Sequence, residues 1–119
     1  LSPHEGAEAG THGANFLLDH DAIGPRPTAV IVTGDLIALG LIRTLGEQDV
    51  AVPDSVAVAS YDDLPVAALL RPALTTIRQP ARDLATAAMA IVTGEAPHKP
   101  VVLPAQLIVR ESTRSVVAR

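Results

Sequence analysis

The sequence predicts an α/β fold with a layered, mainly parallel sheet and helices on both of its faces. Two continuously apolar runs, residues 29–33 and 56–60, are typical of strands that are covered on both faces. Segments with a helical pattern alternate with these runs, as in sheets built from strand–helix units. The 119 residues suffice for one core, which must be aliphatic because only 2% of the residues are aromatic.

The first half of the chain contains a helix, a strand and a second helix. Residues 14–18 close the first helix, and the Gly24–Pro27 segment ends it because proline disfavours helical backbone. The strand at 29–33 leads to Asp35, a good N-cap for a helix from Leu36 to about Gln48. That helix is apolar nearly all round, so we expect one side to meet the sheet and the other a partner subunit. Asp49 follows it, at a position where a positive φ is usual.

The second half continues the alternation of short elements. After the central strand at 56–60, the pattern predicts a short helix at 65–70, a strand at 74–77 and a helix at 81–93 that begins after Pro80. Two short strands are then predicted at 101–103 and 106–109. No internal repeat is visible.

Acidic residues follow the two apolar strands. Asp62 and Asp63 end the central strand, and Gly34 and Asp35 come after the first one. Ligands of open parallel sheets bind beyond the carboxyl ends of the strands, and a carboxylate can accept hydrogen bonds from vicinal hydroxyls or from N–H groups. We therefore expect a site for a hydroxyl-rich or cationic small molecule, with Asp62 facing the ligand and Asp63 holding the loop. An ordinary acidic turn is an equally weighted alternative.

Three neighbours of Asp62 complete the candidate site, each with an alternative reading. Gly34 leaves the backbone N–H groups of the following helix accessible to a polar ligand atom. For Asp35, the role of a helix cap is favoured over a ligand contact by roughly two to one, and one residue can have both roles. Tyr61 is suited to stack on a ligand ring, but packing within the sheet is at least as common.

Composition and motifs exclude several classes of function. The net charge is −4 and the arginines are scattered among acids, so we expect no direct contact with nucleic acid. The chain lacks cysteine, its histidines have no metal-binding spacing, and no phosphate-binding glycine motif occurs. The order of the acids does not fit a phosphoryl receiver, and no nucleophile pocket supports a glycosidase. We expect no catalytic residue, no metal and no cofactor, and, since no apolar run could span a membrane, no membrane contact.

Six motifs in order resemble the effector-binding domain of the lactose/galactose-repressor (LacI/GalR) family of bacterial transcription regulators. They are Arg-Pro-Thr-Ala-Val (26–30), Asp-Leu-Ile-Ala-Leu-Gly (35–40), Val-Pro-Asp-Ser-Val-Ala-Val (52–58), Tyr-Asp-Asp-Leu-Pro (61–65), Pro-Ala-Leu-Thr-Thr-Ile-Arg-Gln-Pro (72–80) and Val-Arg-Glu-Ser-Thr (109–113). The resemblance implies a periplasmic-binding-protein-like (type I) fold. Residues 26–119 would form its carboxyl-terminal lobe after a partial helical lead-in at 1–25, with the effector bound between two lobes.

The resemblance also implies roles for individual residues. The first acid of the Tyr-Asp-Asp motif contacts the effector, which favours Asp62, whereas Gly34 stands where the family usually has a ligand-contacting Asn. Homodimerisation would involve Leu39, Ile42, Arg43, Val66 and Leu69.

The expected function is a non-enzymatic, cytoplasmic sensor that binds a small polar effector such as a sugar, polyol or nucleoside. Operator DNA would be bound only through a helix-turn-helix domain that these residues do not include. The alternative is a periplasmic sugar-binding subunit of an ABC transporter with the same fold.

Overall fold

A computed structural model describes residues 6–114. Residues 1–5 of the expected lead-in and residues 115–119 of the expected lobe lie outside the described part. The elements in chain order are α1 (Ala7–Leu18), α2 (His20–Ile23), β1 (Ala29–Ile31), α3 (Asp35–Glu47), β2 (Ala57–Asp62), α4 (Pro65–Leu69), β3 (Thr75–Arg78), α5 (Ala81–Val92), β4 (Gln106–Ile108) and the 3₁₀ turn Glu111–Thr113.

The four strands form one sheet in the order β1-β2-β3-β4. β1, β2 and β3 are parallel, and β4 pairs antiparallel with β3, which confirms the mainly parallel sheet. Asp62 at the end of β2 is paired with Arg78 at the end of β3. The carboxyl ends of the three parallel strands therefore open at the same edge of the sheet.

The core lies between the sheet and α3, and α1 packs against α3 and contributes Ala14 to this core. The backbones of α1 and α3 are in direct contact. A Cβ on Gly10 would lie 1.9 Å from the Ile37 carbonyl oxygen, and a Cβ on Gly40 would lie 1.8 Å from the Ala7 carbonyl oxygen. This contact with α1 accounts for part of the all-round apolar character of α3. Leu36 and Arg43 of the same helix are exposed, so the partner contact expected for α3 stays a prediction.

Two sequence predictions about strands differ from the structure. Residues 101–103, predicted as a strand, have no regular secondary structure and no paired strand in the described part of the chain, and Val102 is almost fully exposed. On β1, Ile31 is 84% exposed, so that side of the strand is not covered by any helix among residues 6–114. A continuous apolar run does not show whether a strand is buried on both faces or exposed on one of them.

α5 differs from the other long helices because it buries none of its side chains. Its apolar residues Leu84, Met89 and Val92 are exposed. The positive φ predicted for Asp49 after α3 is confirmed, at 57°.

Candidate functional site

Residues that follow the three parallel strands meet at one edge of the sheet. A Cβ on Gly34, after β1, would lie 3.5 Å from Oδ2 of Asp62 at the end of β2. Gln79, directly after β3, donates a hydrogen bond from Nε2 to Oδ1 of Asp62 at 2.9 Å. Asp62 is exposed, so this carboxylate has one oxygen held by the protein and the other directed towards the open space above Gly34.

The backbone at the end of β2 has an unusual conformation. Asp62 has φ 119° and Asp63 has φ 56°. Non-glycine residues rarely adopt positive φ, and each such residue costs on the order of 1–3 kcal/mol unless its surroundings hold it there. We call residues 61–63 the acidic tip. Its conformation turns two consecutive carboxylates in different directions.

Asp63 is held inside the tip by two arginines. Arg110 Nη2 contacts its Oδ1 and Arg78 Nε contacts its Oδ2, both at 2.6 Å, and the Asp63 side chain is only 5% exposed. Burial alone would raise the pKa of Asp63, but the hydrogen bonds and charges of Arg110 and Arg78 outweigh it and lower the pKa. Asp63 therefore fastens the tip to β3 and to the segment after β4, the loop-holding role expected for it.

Asp35 occupies a different place from the one predicted. Gly34, not Asp35, is the N-cap residue of α3, and no side chain caps this helix end. The Asp35 carboxylate is fully buried, where it accepts hydrogen bonds from the hydroxyls of Ser60 and Thr76 and, at 2.6 Å, from the Leu64 N–H. The sequence shows only that a cap-forming residue precedes an apolar helix, whereas the direction of its side chain depends on strands that follow much later.

Tyr61 and Gln79 illustrate what the sequence could and could not indicate about this edge. Tyr61 is 37% exposed, so its ring is not enclosed within the sheet. Sequence patterns do not single out Gln79, although it directly follows a parallel strand at this edge. A hollow of about 130 Å³ adjoins it, lined by Arg78, Gln79, Pro80, Pro104 and Gln106.

The residues expected at a subunit contact differ in their accessibility. Leu69 on α4 is 74% exposed, Arg43 is exposed and forms an ion pair with Glu47, and Leu39 and Val66 are half-buried. Ile42 is only 6% exposed and packs in the core of this chain. Ile42 therefore presents almost no surface to a partner, because α3 uses it inside the domain.

Two further features of the described residues bear on function. No three His, Cys, Asp or Glu side chains among them are grouped so that they could hold a metal ion. None of their helices has the length and apolar character needed to cross a membrane.

Comparison with known proteins identifies the family. The periplasmic binding protein-like domain family matches residues 2–113. The lactose operon repressor of Rhizobium radiobacter is 32% identical over 90% of this chain and 96% of that protein. The chain is part of an effector-binding domain of the LacI/GalR family.

Other relatives of this LacI/GalR domain are also regulators. A protein from Rhizobium rhizogenes described as a probable opine utilization operon repressor is 45% identical over 73% of this chain. A LacI family transcriptional regulator from Lactobacillus casei, solved with bound glucose, superposes with a TM-score of 0.74 at 33% identity over 91% of this chain. The chain spans 47% of the opine repressor and 40% of the Lactobacillus casei chain, so it corresponds to part of such a regulator.

Proposed function

We propose that this domain is the effector-sensing part of a bacterial transcriptional repressor and that Asp62 binds the effector. The observation that carries the proposal is the exposed Asp62 carboxylate, held by Gln79 on one side and open above Gly34 on the other. It lies beyond the carboxyl ends of parallel strands, where α/β sheets bind ligands. A carboxylate in this position accepts hydrogen bonds from a hydroxyl or an ammonium group.

The effector is a small polar molecule of the sugar or polyol type. Glucose bound to the Lactobacillus casei relative supports this class. In the proposed arrangement, this chain forms one wall of a cleft whose other wall belongs to the remainder of the full-length protein. A ligand that binds more tightly to one arrangement of the two walls shifts the protein towards that arrangement.

DNA binding is assigned to another part of the full-length protein. The chain has a net charge of −4, and its described acidic tip uses Arg78 and Arg110 to neutralise Asp63. DNA binding requires phosphate neutralisation by free basic residues. The effector site would therefore act on the operator complex from a distance, in the cytoplasm where the DNA is. A transporter subunit is not favoured, because the relatives described above are regulators.

A dimer is the proposed assembly, formed through the exposed part of α4 together with the neighbouring surface of α3. Leu69 supplies the most exposed apolar side chain among the residues expected there. The proposed surface also includes Leu39, Arg43 and Val66. Ile42 is not part of it, because Ile42 is buried in the core of this chain. An exposed apolar patch next to charged residues is typical of a protein–protein contact.

Calorimetry of the full-length protein tests the role of Asp62. Sugars, polyols, sugar phosphates and nucleosides are titrated first, and the tightest ligand is then titrated into Asp62→Asn. We expect at least about a tenfold loss of affinity, the magnitude of one hydrogen bond to a charged group. Asp49→Asn is the matched control, because Asp49 is also exposed and also has a positive φ. Equal affinities in the two variants would remove Asp62 from the site.

A further inference from the structure

Asp35 is an acidic residue that is completely buried. It lies among buried hydroxyl-bearing residues, Ser60 and Thr76, next to the aliphatic core. Burying a carboxylate is costly unless hydrogen bonds replace its water. Here both oxygens are occupied: Oδ1 by the hydroxyls of Ser60 and Thr76, and Oδ2 by the Leu64 N–H.

The partners of Asp35 come from three separate elements. Ser60 belongs to β2, Thr76 to β3, and Leu64 is the N-cap residue of α4. Thr76 Oγ1 also accepts a hydrogen bond from the Asp63 N–H at 3.3 Å. The Asp35 carboxylate thus holds the Leu64 amide directly and the Asp63 amide through Thr76.

The acidic tip needs such support. Asp62 and Asp63 both have positive φ, and the chain has to be held at both ends of this strained stretch to keep it. The ladder between β2 and β3 holds the start of the tip, since Tyr61 and Asp62 are paired with Ile77 and Arg78. The Leu64 amide, bonded to Asp35, holds its end.

We infer that Asp35 is a positioning residue, which sets the direction of the Asp62 carboxylate from beneath the site without touching the ligand. The inference rests on the proposed function, because it takes Asp62 as the ligand contact. It adds that the ligand site and α4 share one anchor, since the N–H held by Asp35 belongs to Leu64, the N-cap residue of α4. A ligand that moves the tip thereby moves the start of the helix that carries Leu69.

Hydrogen exchange of backbone amides in the full-length protein tests this inference without any ligand. Asp35→Asn keeps the shape of the side chain and one oxygen that accepts from the Leu64 N–H. Asp35→Leu keeps a similar shape but has no acceptor. We expect the Leu64 amide to exchange roughly tenfold faster or more in Asp35→Leu, as for loss of a hydrogen bond to a charged group. In Asp35→Asn it should exchange at nearly the original rate.

A pair of neighbouring threonines provides the matched control, which also serves if Asp35→Leu does not fold. Thr75 and Thr76 are both buried on β3, but Thr75 Oγ1 bonds the backbone of Arg110 instead of Asp35. Thr76→Val should accelerate exchange at Asp63 and Leu64, and Thr75→Val should accelerate exchange at Arg110.

Two results would overturn the inference. One is unchanged exchange of the Leu64 amide in Asp35→Leu, and the other is equal acceleration at Leu64 by Thr75→Val and Thr76→Val. Since Asp62→Asn tests ligand contact and these variants test the support of the tip, failure of one proposal is distinguishable from failure of the other.

Discussion

Gly34 lies opposite Asp62 and leaves room for a side chain between them. A Cβ on Gly34 would lie 3.5 Å from Asp62 Oδ2, an ordinary van der Waals distance, and no other atom outside its immediate chain neighbours lies within 4 Å of it. Gly34 has φ −168°, an extended conformation that any residue adopts. The backbone therefore does not demand glycine here, and the missing side chain enlarges the space in front of Asp62.

Gly34→Asn should fold normally and change ligand binding. We expect its free energy of unfolding to stay within about 0.5 kcal/mol of the original, as for other unstrained surface substitutions. The new amide lies beside Asp62, where it can offer an additional hydrogen bond to a sugar hydroxyl and tighten sugar binding by about 0.5–1.5 kcal/mol. Calorimetry with glucose and the other sugars measures this. Weaker or unchanged sugar binding would contradict it, and Gly46→Asn, on the exposed end of α3, serves as the control.

The ion pairs of Asp63 should make stability depend on pH in the acid range. Because the folded state lowers the pKa of Asp63, its contribution is complete above the unfolded value of about 3.9 and is lost as the pH falls through the folded value. Asp63→Asn should therefore lower the free energy of unfolding by about 1–3 kcal/mol at neutral pH. The stability of this variant should also change less with pH below about 4. Urea unfolding at a series of pH values measures both effects. Parallel pH profiles of Asp63→Asn and the exposed control Asp49→Asn would count against this role.

The contact of α1 with α3 should be intolerant of a single methyl group. In Gly40→Ala, the new Cβ would be placed 1.8 Å from the Ala7 carbonyl oxygen, so the helices must separate at a cost of about 1–3 kcal/mol or more. Gly46→Ala is the matched change on the same helix, with nothing within 4 Å of the new Cβ, and it should stabilise by about 0.5–1 kcal/mol. Thermal or urea unfolding of both variants measures the difference. Similar stabilities would show that α1 is not held against α3.

The surface of α4 should determine the oligomeric state. Leu69→Arg places a charge at the most exposed residue of the proposed dimer surface. We expect the dissociation constant of the dimer to rise at least about tenfold, equivalent to about 1.4 kcal/mol. Val102→Arg places the same charge at an exposed valine outside α3 and α4 and should leave the dimer intact. Sedimentation of the full-length protein over a dilution series compares them. An unaltered dimer in Leu69→Arg would place the interface elsewhere.

Short-range patterns predicted most of the elements correctly. The helices that became α3, α4 and α5 begin within one residue of the predicted positions, because proline, glycine and apolar periodicity act locally. The convergence of Gly34 and Asp62 also followed from strand order alone, since parallel strands end at the same edge.

The predictions that failed depend on contacts between distant residues. The packing of α1 on α3, where Gly10 meets the segment at Ile37, was also not predicted, because an apolar pattern does not encode its partner. Asp35 was predicted to cap its own helix, yet its bonds run to Ser60, Leu64 and Thr76. Residues 101–103 have the composition of a strand but no neighbour with which to pair in the described chain.

Ser112 links the centre of the sheet to the last part of the described chain. Its hydroxyl donates to the Val58 carbonyl and accepts from the Thr75 N–H, so it joins β2 to β3 from a position 54 residues after Val58. Contacts this distant in sequence form late, because the entropy of closing a long loop has to be paid first. A nascent chain on the ribosome would thus hold the centre of its sheet unfinished until Ser112 has left the exit tunnel.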